Sequence, residues 1–407
     1  MKLTDEEKSL LAGEEGPGAK KAMEILTALG KIFDAQKMVP VASAQVAGVS
    51  YRNIGDYGLE FLRDWAELGT KTRIPAFMNP AGMDRNLWQQ LGISENFAEK
   101  QLDIITQLQK MGVSPTLTCT PYHIGHTPNI GQHIAWSESS AVSYANSVLG
   151  AFTNREGGPS ALAAAIVGRT PKFGLHLEEN RLPTHHIYVS CKLEAPSDYG
   201  LLGYMVGKQV ADGIPYFEGL EFPDELWKKT ACFKALGAAM AASGAVALYH
   251  VHAVTPEAKA RLLLSLEAKQ IKIENLRPAN SALKRRTSEK LDLVTLGCPH
   301  SSLEELNEIA DFLKTKQVKV PLWITTSLIV RQQAEKKGLL EIIKKAGGIV
   351  IADTCMVVTT LKELGYKYIA VNSAKAAYYL PSHQGAVTYL GTTEQCINAA
   401  VKGKWKY

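Results

Sequence analysis

The chain has 407 residues, 46% hydrophobic and 21% charged, with a formal net charge of +5 that is spread along it rather than gathered in a block. This length holds two or three domains with an ample core, and the diffuse charge excludes a nucleic-acid footprint. Six cysteines in so long a chain do not make a disulfide scaffold, and no secretory signal precedes the first helix, so a reducing cytoplasm is the expected compartment.

Residues 5–36 read as two helices split by the glycine-rich stretch 13–18, the first opened by a capping box of Thr4 and Glu7. Residues 38–47 are strand-like and run into Gly48-Val-Ser50, a turn able to aim backbone N–H groups at an anion. A helix over 56–67 follows, then residues 73–82 give a second strand that ends in polar turn chemistry, with Asn79 before Pro80. An asparagine before proline is held extended, which suits a fixed hydrogen-bonding amide, although the pair also marks plain turns. A helix over 95–111 leads to a strand over 113–119. At Trp136-Ser-Glu-Ser139 a helix begins, with Ser137 or Ser139 as its cap and Glu138 in its first turn. The functional alternative is that this helix start presents Glu138 and Ser139 to a site. Arg155, in the polar loop 153–159, is that loop's anion-binding candidate, or simply a solvated arginine.

The middle of the chain carries an alanine-rich helix and a strand over 185–190, where His185 and His186 point to opposite faces and make a poor metal pair. The apolar stretch 235–252 contains Gly244 and ends in two histidines, so it reads as a buried helix feeding a buried strand rather than a membrane span. Residues 276–290 look like a polar connection. Beyond it strand and helix alternate, at 291–297 and 302–315, 319–326 and 330–346, 348–354 and 358–364. That alternation predicts a parallel sheet with helices on its faces. A last strand ends at Asn372-Ser-Ala-Lys375, which places Lys375 beside a helix start, where a phosphate or carboxylate is well held. The expected units are 1–160, 161–285 and 286–407, in an α/β fold of several layered units with mostly parallel sheets.

Three cysteines close apolar, strand-like runs: Cys119, Cys298 and Cys355. Ligand sites in open α/β sheets gather at the carboxyl ends of strands, so thiols far apart in sequence can converge there. Three thiolates without a fourth suit an iron–sulfur cluster with one open, Lewis-acidic iron. Any one of these cysteines taken alone reads as a small buried hydrophobe rather than a ligand, and it is their repetition at strand-to-turn positions that favours a cluster. Cys191, at the end of 187–191, competes for the third place, whereas Cys232 and Cys396 lie in helical patterns and read as packing. No P-loop, Gly-x-Gly-x-x-Gly, His-Glu-x-x-His or Gly-x-Ser-x-Gly occurs, so nucleotide, zinc-protease and hydrolase chemistry have no local support.

Thr118-Cys-Thr-Pro-Tyr122, Gly297-Cys-Pro-His300, Asp353-Thr-Cys355 and Asn372-Ser-Ala-Lys-Ala-Ala-Tyr378, in this order and spacing, resemble aconitase X over nearly the whole chain. The resemblance implies an aconitase-like fold around a central iron–sulfur cleft, with a cluster, most simply 4Fe-4S, held by Cys119, Cys298 and Cys355. It implies a large subunit whose small partner carries a swivelling domain, and, as in archaeal members, dehydration of (R)-5-phosphomevalonate to trans-anhydromevalonate 5-phosphate in the mevalonate pathway. Within that reading Gly48, Val49 and Ser50 would cradle one anionic end of the substrate, with Lys375 as charge partner and Asn79 and Pro80 lining the pocket. Glu138 and Ser139 would orient the hydroxyl or assist proton transfer, with the proton-abstracting serine on the small subunit. The alternatives are a cis-3-hydroxy-L-proline dehydratase and, from another class, a non-catalytic α/β subunit with buried cysteines.

Overall fold

The computed structural model describes residues 1–260, 267–283 and 288–406. Helices Asp5–Ala12 and Pro17–Ile32 open the chain. Thr4 Oγ1 accepts from the Glu7 N–H at 3.3 Å and Glu7 Oε2 from the Thr4 N–H at 2.8 Å, closing the expected capping box.

The strand expected over 38–47 is two strands in different sheets. Met38–Pro40 pairs antiparallel with Arg169–Pro171, and Ala44–Ala47 lies parallel between Ala76–Asn79 and Ala135–Trp136. Pro40, with no N–H to offer, ends the first ladder. Residues 113–119 are not a strand either. They make one bridge, Ser114 to Phe77, before Pro115 and the left-handed Leu117 (φ 49°) carry the chain off the sheet edge. The helix expected from 56 gains a first turn from Tyr51 and is kinked at Gly55, where φ is 59°.

A four-stranded parallel sheet follows, in the order His250–Val251, Pro215–Glu218, His185–Val189, Lys269–Ile273. It is backed by helices Pro196–Val210 and Leu226–Gly244. These touch backbone to backbone: a Cβ on Gly203 would stand 2.4 Å from the Leu236 carbonyl oxygen. Only His250–Val251 of the strand expected after Gly244 forms. Among the described residues no helix is long and apolar enough to cross a membrane. The expected connection 276–290 begins as helix Arg277–Leu283, and its residues 284–287 lie outside the described residues.

The carboxyl-terminal part is the predicted parallel sheet, in the order Gly348–Ala352, Leu322–Thr326, Leu293–Leu296, Tyr368–Val371, Val387–Leu390. The helix expected over 330–346 is broken at Gly338 (φ 72°) into Leu328–Lys336 and Leu339–Lys345. Residues 358–364 are turns rather than a helix, because Gln384 Nε2 donates to the carbonyls of Val357 (3.1 Å) and Thr359 (2.7 Å), which a helix would use for itself.

Helix Gly158–Val167 crosses the expected 160/161 boundary and buries 161–167 in the amino-terminal core with Met23, Trp65 and Leu108. A second core joins all three parts of the chain. It takes Met83 and Ala98 from the first, Leu201 and Ala239 from the second, and Leu293, Ile351, Val371, Cys298 and Cys355 from the third.

Candidate active site

Two parallel sheets turn their carboxyl edges to the same place. From the carboxyl-terminal sheet come Cys298, after Leu293–Leu296; Cys355, after Gly348–Ala352; and Lys375, in the first turn of helix Ala374–Gln384. Gly297 before Cys298 must be glycine: its φ is 92°, and a Cβ there would stand 2.2 Å from the Thr325 carbonyl oxygen. From the amino-terminal sheet come Gly48, Asn79 and Glu138, each at or just past a strand end. Cys119 arrives on the loop beside Ala76–Asn79.

Cys119, Cys298 and Cys355 are free and buried. Burial pushes their thiols up, Cys119 and Cys355 to about 12 and Cys298 to about 11, while Lys375 draws all three down. Each thiol also feels at least one of the others, so they share one electrostatic environment. Among the described residues no group of three or more His, Cys, Asp or Glu is arranged to hold one metal ion. A cluster makes a different demand, since each thiolate binds its own iron and the sulfurs stand further apart. Three buried thiols with a cation among them, and no fourth ligand, fit that donor set. Cys191 is half-buried in the core of the middle part and stands outside the group. Cys232 and Cys396 lie in helices, buried, as expected.

Lys375 and Glu138, 237 residues apart, form a buried ion pair: Lys375 Nζ donates to Glu138 Oε1 at 2.8 Å and to Ser140 Oγ at 3.2 Å. Glu138 Oε2 accepts from Ser140 Oγ and from the Ala141 N–H, both at 2.7 Å. Burial alone would raise the carboxyl, but the ammonium beside it and these donors hold it below the usual carboxylate range. Burial likewise opposes the charge on Lys375, which Glu138 and the neighbouring Cys298 and Cys119 nevertheless raise above the ordinary lysine value. Glu138 is itself the cap of helix Ser139–Tyr144, the role expected of a neighbouring serine. Ser137 instead ties the sheet edge, donating to the Gln45 carbonyl and accepting from the Ala47 N–H, both at 2.6 Å. Ser139 is buried next to the pair, but Ser140 is the serine that touches it. Arg155 is exposed.

Gly48 (φ 81°), Val49 and Ser50 form a turn at the start of helix Tyr51–Glu67. Gln101 holds it: Nε2 donates to the Val49 carbonyl at 2.9 Å, and Oε1 accepts from the N–H of Tyr51 (2.9 Å) and Gly82 (2.8 Å). Among the described residues, no hydrogen bond uses the N–H of Gly48, Val49 or Ser50. On its other side the turn borders an apolar cavity of about 230 Å³ walled by Ile54, Phe61 and Leu162, so only the backbone recommends it to an anion. Asn79 is fully buried, and among the described residues neither its Oδ1 nor its Nδ2 has a partner; Pro80 beside it is buried too. An unsatisfied buried amide costs about 1–3 kcal/mol, so it marks a place built for something else to bind. Asn79→Leu is therefore expected to leave the melting temperature unchanged or higher while lowering kcat/KM at least about tenfold. A variant that melts lower and turns over normally would make Asn79 a structural residue.

Sequence reasoning passed over several residues. Gln101 sits among Ala98, Ile105 and Leu108 on the buried face of its helix, and a polar residue at a core position was the available signal. Asp353 has a left-handed backbone (φ 67°); its Oδ2 accepts from Arg85 Nε at 2.7 Å, and its Oδ1 is without a partner among the described residues. His300 was within reach in the Gly297-Cys-Pro-His300 motif, but nothing local shows what it touches.

Family descriptions for aconitase X match the chain in three blocks: first domain over residues 1–179, second over 183–284, third over 291–402. The chain is 49% identical to the protein named phosphomevalonate dehydratase large subunit of Methanocaldococcus jannaschii, over 98% of this chain and 99% of that one. It is 33% identical to the cis-3-hydroxy-L-proline dehydratase of Pseudomonas aeruginosa, over 98% of this chain and 70% of that one. The crystal structure of Thermococcus kodakaraensis aconitase X in its holo-form superposes with a TM-score of 0.90 at 46% identity, covering 98% of this chain and 100% of that one.

Proposed function

The chain belongs to the aconitase X family, and from that membership we propose that it is the large subunit of a hydro-lyase removing water from (R)-5-phosphomevalonate to give trans-anhydromevalonate 5-phosphate. The observation that carries the substrate is the contrast between 49% identity to a phosphomevalonate dehydratase large subunit and 33% to a hydroxyproline dehydratase. We assign Cys119, Cys298 and Cys355 to an iron–sulfur cluster, 4Fe-4S by its three-thiolate donor set. When bound, it supplies a Lewis-acidic iron that eases departure of a tertiary hydroxyl.

The chain's own residues do the rest. The N–H groups of Gly48, Val49 and Ser50, unused among the described residues, suit the phosphate as a backbone cradle. Asn79 offers both a donor and an acceptor to a substrate hydroxyl or carboxylate. Lys375 spends two of its three N–H donors on Glu138 and Ser140, which leaves one for a substrate anion and its charge for the thiolates. Glu138 is a poor general base here, because both its oxygens are already hydrogen-bonded and its basicity is lowered. Its part is to fix the ammonium. Ser139, buried beside the pair, is left to orient the substrate hydroxyl. The group that takes the proton is therefore assigned to the small subunit, a serine by the aconitase precedent. The hydroxyproline dehydratase relatives agree with such a division, since this chain spans only about 70% of one of them.

The test is anaerobic co-purification with the small subunit, then iron and sulfide analysis and dehydration assays on one sample. About four irons per large subunit, with turnover of phosphomevalonate only when both subunits are present, is the expected result. Turnover by this chain alone would overturn the shared site. Turnover of cis-3-hydroxy-L-proline but not phosphomevalonate would replace the substrate.

A further inference from the structure

His300 is fully buried, two residues after Cys298, and all four of its polar groups are hydrogen-bonded. Its N–H donates to Cys119 Sγ at 3.3 Å, and its carbonyl accepts from Lys234 Nζ at 3.0 Å. Its ring spans the other two loops: Nε2 stands 2.9 Å from the Thr354 carbonyl oxygen, next to Cys355, and Nδ1 stands 3.0 Å from Thr118 Oγ1, next to Cys119. A carbonyl oxygen can only accept, so Nε2 carries the proton; Nδ1 is then an acceptor, and Thr118 must donate to it. Thr118 Oγ1 in turn accepts from the Thr120 N–H at 3.1 Å. The network closes with no donor facing a donor.

We infer that His300, with its ring proton on Nε2, is the positioning residue that sets the relative places of the three cysteine loops. It acts through Thr118 on Cys119, through the Thr354 carbonyl on Cys355, and through the chain on Cys298. Among the described residues, no other residue hydrogen-bonds to both Thr118 and Thr354, the neighbours of Cys119 and Cys355. The ring reaches no sulfur, so its part is spacing rather than ligation. This rests on the reading that the three thiols hold the cluster, and the experiment separates the two.

The full chain, co-purified with its small subunit and stripped of metal, is alkylated with iodoacetamide, and the rate at each cysteine is read by mass spectrometry. A parallel sample is reconstituted anaerobically with iron and sulfide and followed by visible absorbance. His300→Ala should label at Cys119 and Cys355 about tenfold faster than wild type and lose most of the reconstituted absorbance, because local opening governs access to buried thiols. Thr118→Val, which deletes one hydroxyl and stays foldable even if His300→Ala does not, should speed Cys119 alone. His300→Gln, whose amide still donates to the Thr354 carbonyl, should keep Cys355 slow. Equal labelling in wild type and His300→Ala, or an equal rise at all three cysteines in Thr118→Val, would overturn the inference. If wild type never takes up iron yet the labelling pattern follows as described, the cluster reading falls and the positioning role stands.

Discussion

Lys375→Met is expected to destabilise the protein by about 3–5 kcal/mol and to lower kcat for dehydration by at least about a thousandfold. The stability loss comes from Glu138, left as a buried carboxylate without its counter-charge. The activity loss comes from removing a cation that all three thiols feel. A double variant, Glu138→Gln with Lys375→Met, separates the two effects. Removing both charges should recover most of the stability, since replacing a whole buried pair is often neutral, and should recover no activity. The pH dependence follows from the same pair. The Glu138 carboxyl is held below its ordinary 4.5, so its contribution is present above that value and is lost as pH falls through the lower, folded value. The Lys375 ammonium is held above its ordinary 10.5, so its contribution is present below that value and is lost as pH rises through the higher, folded one. The stability gap between wild type and Lys375→Met should therefore be widest between those ordinary values and close in acid. A gap that is constant down to acid unfolding, or a single variant with normal turnover, would remove Lys375 from the site.

The second large effect is expected at the cysteines. Cys119→Ala, Cys298→Ala and Cys355→Ala should each abolish turnover, by at least about a thousandfold, and each should lose most of the iron bound by wild type. Cys191→Ala should change neither quantity by more than about twofold, because that half-buried thiol packs in the middle core instead. All four variants trade a small side chain for a smaller one, so in metal-free protein stability should fall by only about 1 kcal/mol in each. Matching melts with unequal iron content would separate ligation from packing. Full iron content and activity in any of the first three variants would remove that residue from the donor set, and iron loss in Cys191→Ala would restore the competitor.

What the chain reveals without its fold is local. The alternation after residue 290 predicted a parallel sheet, and the sheet is there, because hydrophobic period is a property of adjacent residues. Cys298 and Cys355 could be placed at strand ends, and Lys375 at a helix start, for the same reason: each is marked by its own neighbours. Cys119 was misread as closing a strand, because Pro115 and left-handed Leu117 leave the ladder after a single bridge. The failures at 38–47 and 358–364 share a cause. In one, apolar runs were divided between two sheets, and in the other, Gln384 claimed carbonyls that a helix would have used. The site's polar logic was decided only by tertiary structure. Lys375 has Glu138 for a partner across 237 residues, Gln101 holds the Gly48 turn from another helix, and His300 spans loops drawn from opposite ends of the chain. The burial of a charge or an imidazole cannot be read from its neighbours in sequence. Its cost is offset by whatever the fold brings within about 3 Å, and that distance exists only after the chain has closed.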